Sequence, residues 1–93
     1  MNFIDIFNYV AKVARPAHTK VAIAEKMDDV FAEIGLDSLD GLVMLMYFDE
    51  LYGIADEDSK EWSPKSVQEL YDLVMANKTK EPASMEEVKE VCK

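Results

Sequence analysis

Gly35-Leu36-Asp37-Ser38-Leu39-Asp40, running on into Gly41-Leu42-Val43-Met44-Leu45-Met46-Tyr47-Phe48, is the stretch on which the fold turns. Gly35 can take the positive φ of a tight turn. Asp37 and Ser38 are both good N-cap residues, and Asp37 and Asp40 put negative charge where a helix dipole favours it. The order of residues predicts a turn, then an apolar helix with a hydroxyl at its leading end. Free backbone N–H groups at such an end accommodate a phosphate. Ser38 is expected to be exposed there.

At about 100° per residue, Gly41, Met44, Leu45, Phe48 and Tyr52 share one side, the predicted core face. Leu39, Leu42 and Met46 form a second stripe, and Asp40, Val43, Tyr47 and Glu50 a third beside it. A surface helix normally needs one apolar stripe. The helix is therefore either buried all round or a docking face, with apolar anchors bordered by acids that steer a basic partner. The docking face is the preferred expectation.

At these residues the chain resembles the acyl carrier protein family. The likeness lies in Asp37-Ser38-Leu39, with Gly35 shortly before and Asp40 directly after, and it extends over residues 3 to 76. Asp-Ser-Leu alone is a common tripeptide; small size, acidity, an upstream amphipathic helix and the apolar helix after the serine give it weight. The resemblance implies that Ser38, between Asp37 and Leu39, carries 4′-phosphopantetheine. A phosphopantetheinyl transferase would attach it from coenzyme A, and its thiol would hold an acyl group as a thioester. The implied partners are acyl-loading and acyl-transfer enzymes with basic docking surfaces. Leu39, Asp40, Leu42, Val43, Met46, Asp49 and Glu50 are the expected docking residues, and Met44, Leu45, Phe48 and Leu70 the expected acyl cleft. The chain would be a monomer and no enzyme itself, serving fatty-acid, lipid or polyketide-type synthesis. The positions of Val43 and Leu51 are commonly acidic in the family, which suggests a specialised carrier. Trp62 and Pro64 also depart from the family pattern.

Length and charge agree with this outline. Ninety-three residues allow one domain whose core needs no staples. Net charge is −9, and residues 28–61 hold eleven acids against the single base Lys60. Nucleic acid and anionic membranes want the opposite sign, so neither is an expected partner. An acidic middle can be only a solubility device, but around Ser38 it suits recognition by basic surfaces. A single cysteine, Cys92, fits a reducing compartment. Neither a signal peptide nor a membrane-length apolar run is apparent, so the expected place is the cytoplasm.

Phe3, Ile6, Phe7, Val10 and Val13-Ala14 recur at helical spacing, with Asn2 as N-cap and Arg15-Pro16 as the stop. Residues 17–36 form a long connection anchored by Val21, Ile23, Val30, Phe31 and Ile34, with a short helical turn over 28–34. Ser66 and Glu69 make a capping box ahead of Val67, Leu70, Tyr71 and Val74. Ser84 and Glu87 make another ahead of a segment short enough to be a frayed tail. No strand alternation or repeat stands out. The expected fold is an all-α bundle of three main helices plus one or two short ones, with a long first loop. Residues 1–78 would be the carrier domain and 79–93 a C-terminal tail, with a short extra helix as its alternative.

Other chemistries fit poorly. A serine nucleophile needs a base and an orienting group, and the one histidine, His18, sits in the long loop. A calcium loop starting at Asp56 would need glycine sixth and glutamate twelfth, where the chain has Glu61 and Val67. No metal site is expected, and Cys92 is read as a bystander thiol. Two alternatives to an acyl carrier stay open: an aminoacyl or peptidyl carrier using the same serine, and an unmodified helical interaction module.

Overall fold

Asn2 opens the first helix as the sequence suggests, its Oδ1 accepting from the Asp5 N–H at 3.0 Å. The computed structural model describes residues 2–14, 24–36 and 38–92, and of Ser38 the backbone alone. Among these residues there are five helices and no strands: α1 Phe3–Ala14, α2 Ser38–Tyr52, α3 Asp56–Ser59, α4 Val67–Asn77 and α5 Met85–Val91. The molecule is a small all-α bundle. Its radius of gyration of 12.1 Å is that of a compact chain of this length, about 12 Å.

Phe3 ties three helices together. Its ring stacks on Phe48 of α2 at 5.4 Å and meets Tyr71 of α4 edge-on at 5.0 Å. Ile6, Phe7 and Val10 continue the buried face of α1 against Phe48, Leu70 and Val74. Three- and four-residue spacing on each helix puts these side chains on one stripe, and their burial supplies the main driving force for the fold.

Among the described residues, α1 and the start of α4 tie down the long first connection. Asn8 of α1 clasps Ala24, donating to its carbonyl at 3.0 Å and accepting from its N–H at 2.9 Å. Phe31 stacks on Phe7 at 5.4 Å. Val30 forms an isolated antiparallel bridge with Ser66, with the Phe31 N–H donating to the Lys65 carbonyl at 2.8 Å and the Val67 N–H to that of Asp29 at 3.1 Å. The predicted short helical turn is a run of turns over residues 31–35, with the Ile34 N–H donating to the Val30 carbonyl at 3.2 Å, and Gly35 closes it at φ 82°. The expected helix stop at Arg15-Pro16 and the anchors Val21 and Ile23 lie outside the described residues.

Gly53 ends α2 at φ 64°, and the Ile54 N–H reaches back to the Asp49 carbonyl at 2.8 Å. That is the left-handed glycine stop expected where a helix must close its last carbonyls. Both capping serines act as read: Ser66 Oγ accepts from the Glu69 N–H at 3.2 Å and Ser84 Oγ from the Glu87 N–H at 3.4 Å. The segment expected to fray is helix α5, packed on α1 and α2 with Val88 and Cys92 fully buried. Propensity alone disfavours so short a helix; an apolar face to dock on reverses the balance.

Candidate functional site

The leading end of α2 presents two apolar surfaces. On the outside, Leu39, Leu42 and Met46 are 68%, 56% and 68% exposed, the exposed large hydrophobics among the described residues. Glu50 continues the same face and is also exposed. On the inside lies an apolar cavity of about 440 Å³. Gly41, Leu42, Met44 and Leu45 of α2 form one wall, and Leu70 of α4 adds to it. Val30, Phe31, Ala32 and Leu36 from the first connection and Trp62, Ser63, Pro64 and Lys65 from the segment after α3 complete it. A side chain at Gly41 would meet nothing within 4 Å, so its hydrogen leaves open space beside the first turn of α2.

Of the residues expected to line a cleft, Met44, Leu45 and Leu70 do so, whereas Phe48 is wholly buried between Phe3 and Tyr52. Phe31, Leu36, Trp62 and Pro64 were not among those expected. They come from irregular segments, where no periodicity announces burial; the available signals were Phe31 as an apolar anchor of the first connection and Trp62 and Pro64 as apolar residues in an acidic stretch.

Of the expected docking residues, Leu39, Leu42, Met46 and Glu50 are exposed, and Asp40 and Val43 are half-buried. Asp49 is a correction. It is 6% exposed and faces the joint between α2 and α3, so it cannot present its carboxylate to a partner. The Ser59 hydroxyl donates to Asp49 Oδ2 at 2.5 Å, while Oδ1 is buried with no partner. Burial first of all, with Asp56 and Asp58 adding to it against the opposing effect of Ser59, pushes the Asp49 carboxyl up to about 6. Asp49 lies four residues after Leu45 and three before Tyr52, both buried, and that spacing was the signal available in the sequence.

Asp37 and the side chain of Ser38 lie outside the described residues, as does His18. Among the described residues no group of three or more His, Cys, Asp or Glu could hold a metal ion. Cys92 is buried, and burial with the nearby Glu50 pushes its thiol up to about 11, which disfavours the reactive thiolate. No described helix is long and apolar enough to cross a membrane. Compared with family models, with curated proteins and with solved structures, the chain matches none.

Proposed function

We propose that this chain is a cytoplasmic acyl carrier, in which Ser38 bears a 4′-phosphopantetheine arm and the cavity beside α2 shelters the acyl group. The observation that carries the reading is the double use of one helix start. Within two turns of Ser38, α2 lines an apolar cavity on one side and exposes Leu39, Leu42 and Met46 on the other. A tethered apolar cargo needs the first surface, and a succession of partner enzymes needs the second.

The residues present suit such a group. The open space at Gly41 gives an arm or its cargo room beside the first turn of α2. The first N–H groups of α2 point toward its leading end and favour a phosphodiester there. Met44, Leu45 and Leu70 would hold an alkyl chain by burying it from water. The bound group supplies a thiol that can form a thioester. The acidic middle of the chain, residues 28–61, suits basic surfaces on a phosphopantetheinyl transferase and on acyl-transfer enzymes.

Intact mass after co-expression with a broad-specificity phosphopantetheinyl transferase tests the reading, with Ser38→Ala as control. A gain of the arm's mass that disappears in the control supports it. An unchanged mass in both overturns it and leaves a helical interaction module, the reading that the exposed Leu39, Leu42 and Met46 alone would favour. Loading of the modified protein by amino-acid ligases, rather than acyl ligases, would make it an aminoacyl carrier.

A further inference from the structure

Asp49 is the one described residue with a buried side-chain oxygen left without a partner. Its other oxygen accepts from Ser59, the last residue of α3. A side-chain hydrogen bond with Asp56, at the start of α3, favours the protonated form of Asp49, and the charges of Asp56 and Asp58 act in the same direction. Two ionised carboxylates cannot hydrogen-bond to one another, so Asp49 gains Asp56 as a partner only when a proton sits between them. α1 and α5 also pack on α2, but the charged groups acting on Asp49 are Asp56 and Asp58, both from α3.

The joint connects to the cavity along the chain. The Trp62 N–H donates to the Ser59 carbonyl at 3.0 Å, so the turn after α3 is built on the residue that holds Asp49. Trp62 and the three residues after it form one cavity wall. The far end of that wall is pinned by the Phe31 N–H on the Lys65 carbonyl at 2.8 Å, so α3 holds its near end, at Trp62.

We propose that Asp49 is a proton-operated latch on the cavity. Protonated, its carboxyl donates to Asp56 while still accepting from Ser59, and α3 holds the Trp62–Lys65 wall closed. Ionised, it repels Asp56 and Asp58, α3 withdraws, and the cavity opens to solvent on that side. The proton is taken from water and returned to it, with no other reactant. The latch acts on the cavity whatever occupies it, and so stands apart from the modification of Ser38.

Trp62 is the only tryptophan, which makes its fluorescence a direct reading of the wall. The full chain is titrated from about pH 5 to about pH 8, following Trp62 emission, far-ultraviolet circular dichroism and the affinity for Nile red, an uncharged apolar dye. The expected result is a red shift of Trp62 and a several-fold loss of dye affinity, centred near pH 6 with helix content unchanged. Asp49→Asn supplies a permanent donor toward Asp56 and should abolish both changes. Ser59→Ala removes the donor that favours the charged form and should move the midpoint to higher pH. A flat Trp62 signal in the parent overturns the proposal. So does a midpoint unmoved by both substitutions, or a shift that coincides with loss of helix.

Discussion

Ser59 Oγ donates to Asp49 Oδ2 at 2.5 Å, a side-chain bond buried in the joint where α3 turns back on α2. It satisfies one oxygen of a carboxylate whose other oxygen has none to turn to. The arrangement fixes α3 in place and leaves it sensitive to charge.

Global stability should fall as pH rises through this group. The folded carboxyl titrates near 6 against an ordinary value of 3.8, so between these the folded state binds more protons than the unfolded one. Stability is then fully present below about 3.8, declines across the interval and is lost above the folded value. Urea titrations of the parent and of Asp49→Asn should converge in acid. At neutral pH the variant should be more stable by on the order of 1–3 kcal/mol. Equal stability of the two at neutral pH would show that the buried charge costs nothing.

Gly53→Ala should be strongly destabilising. The residue stands at φ 64°, a conformation that disfavours side chains, and an added Cβ would overlap Thr79 Oγ1. That hydroxyl donates to the Gly53 carbonyl at 2.6 Å, and the Thr79 and Lys80 N–H groups both donate to Tyr52 at 2.9 and 3.2 Å. The clash therefore strikes the contact that brings the end of α4 back to α2. A loss of at least about 2 kcal/mol is expected from strain and broken bonds together, measured as a lowered urea midpoint.

α1, α4 and α5 were legible in the sequence because each announces itself twice, by apolar spacing and by a cap. Asn2, Ser66 and Ser84 accept the N–H bonds their positions suggest. What escaped was set by contacts distant in sequence. The Val30–Ser66 bridge and the Asn8–Ala24 clasp join residues that no periodicity relates. Trp62 and Pro64 line the cavity from an irregular segment. Asp49 was misplaced because an acidic residue is presumed solvated, although its spacing from Leu45 and Tyr52 put it on the buried side.

Cys92 offers a clock for the docking of α5. Its thiol is buried and pushed up to about 11, so an alkylating reagent should react only when the helix lifts away. Val88→Ala removes two methyl groups from a fully buried site on the same helix. The expected cost is about 1–3 kcal/mol, and alkylation of Cys92 should quicken while far-ultraviolet circular dichroism stays near that of the parent. Labelling as fast as that of a free thiol in the parent chain would mean that α5 is not held on the core.

The exposed face of α2 gives the sharpest separation between folding and recognition. Leu42→Glu and Met46→Glu change side chains that are 56% and 68% exposed, so each should alter stability by no more than about 0.5 kcal/mol. If this face receives a transferase with a basic surface, the added charge should help steering while the lost apolar anchor weakens the docked complex. The net expectation is a slower mass gain at Ser38 for both variants, and Leu42→Glu also brings a carboxylate to the apolar cavity that Leu42 lines. Glu50→Lys reverses a charge on the same face without touching an anchor, and should slow encounter more at low salt than at high. Time courses of modification by intact mass, taken at two salt concentrations, separate these effects. Rates unchanged in all three variants would move docking to another face of the molecule and leave Leu39, Leu42 and Met46 exposed for some other purpose.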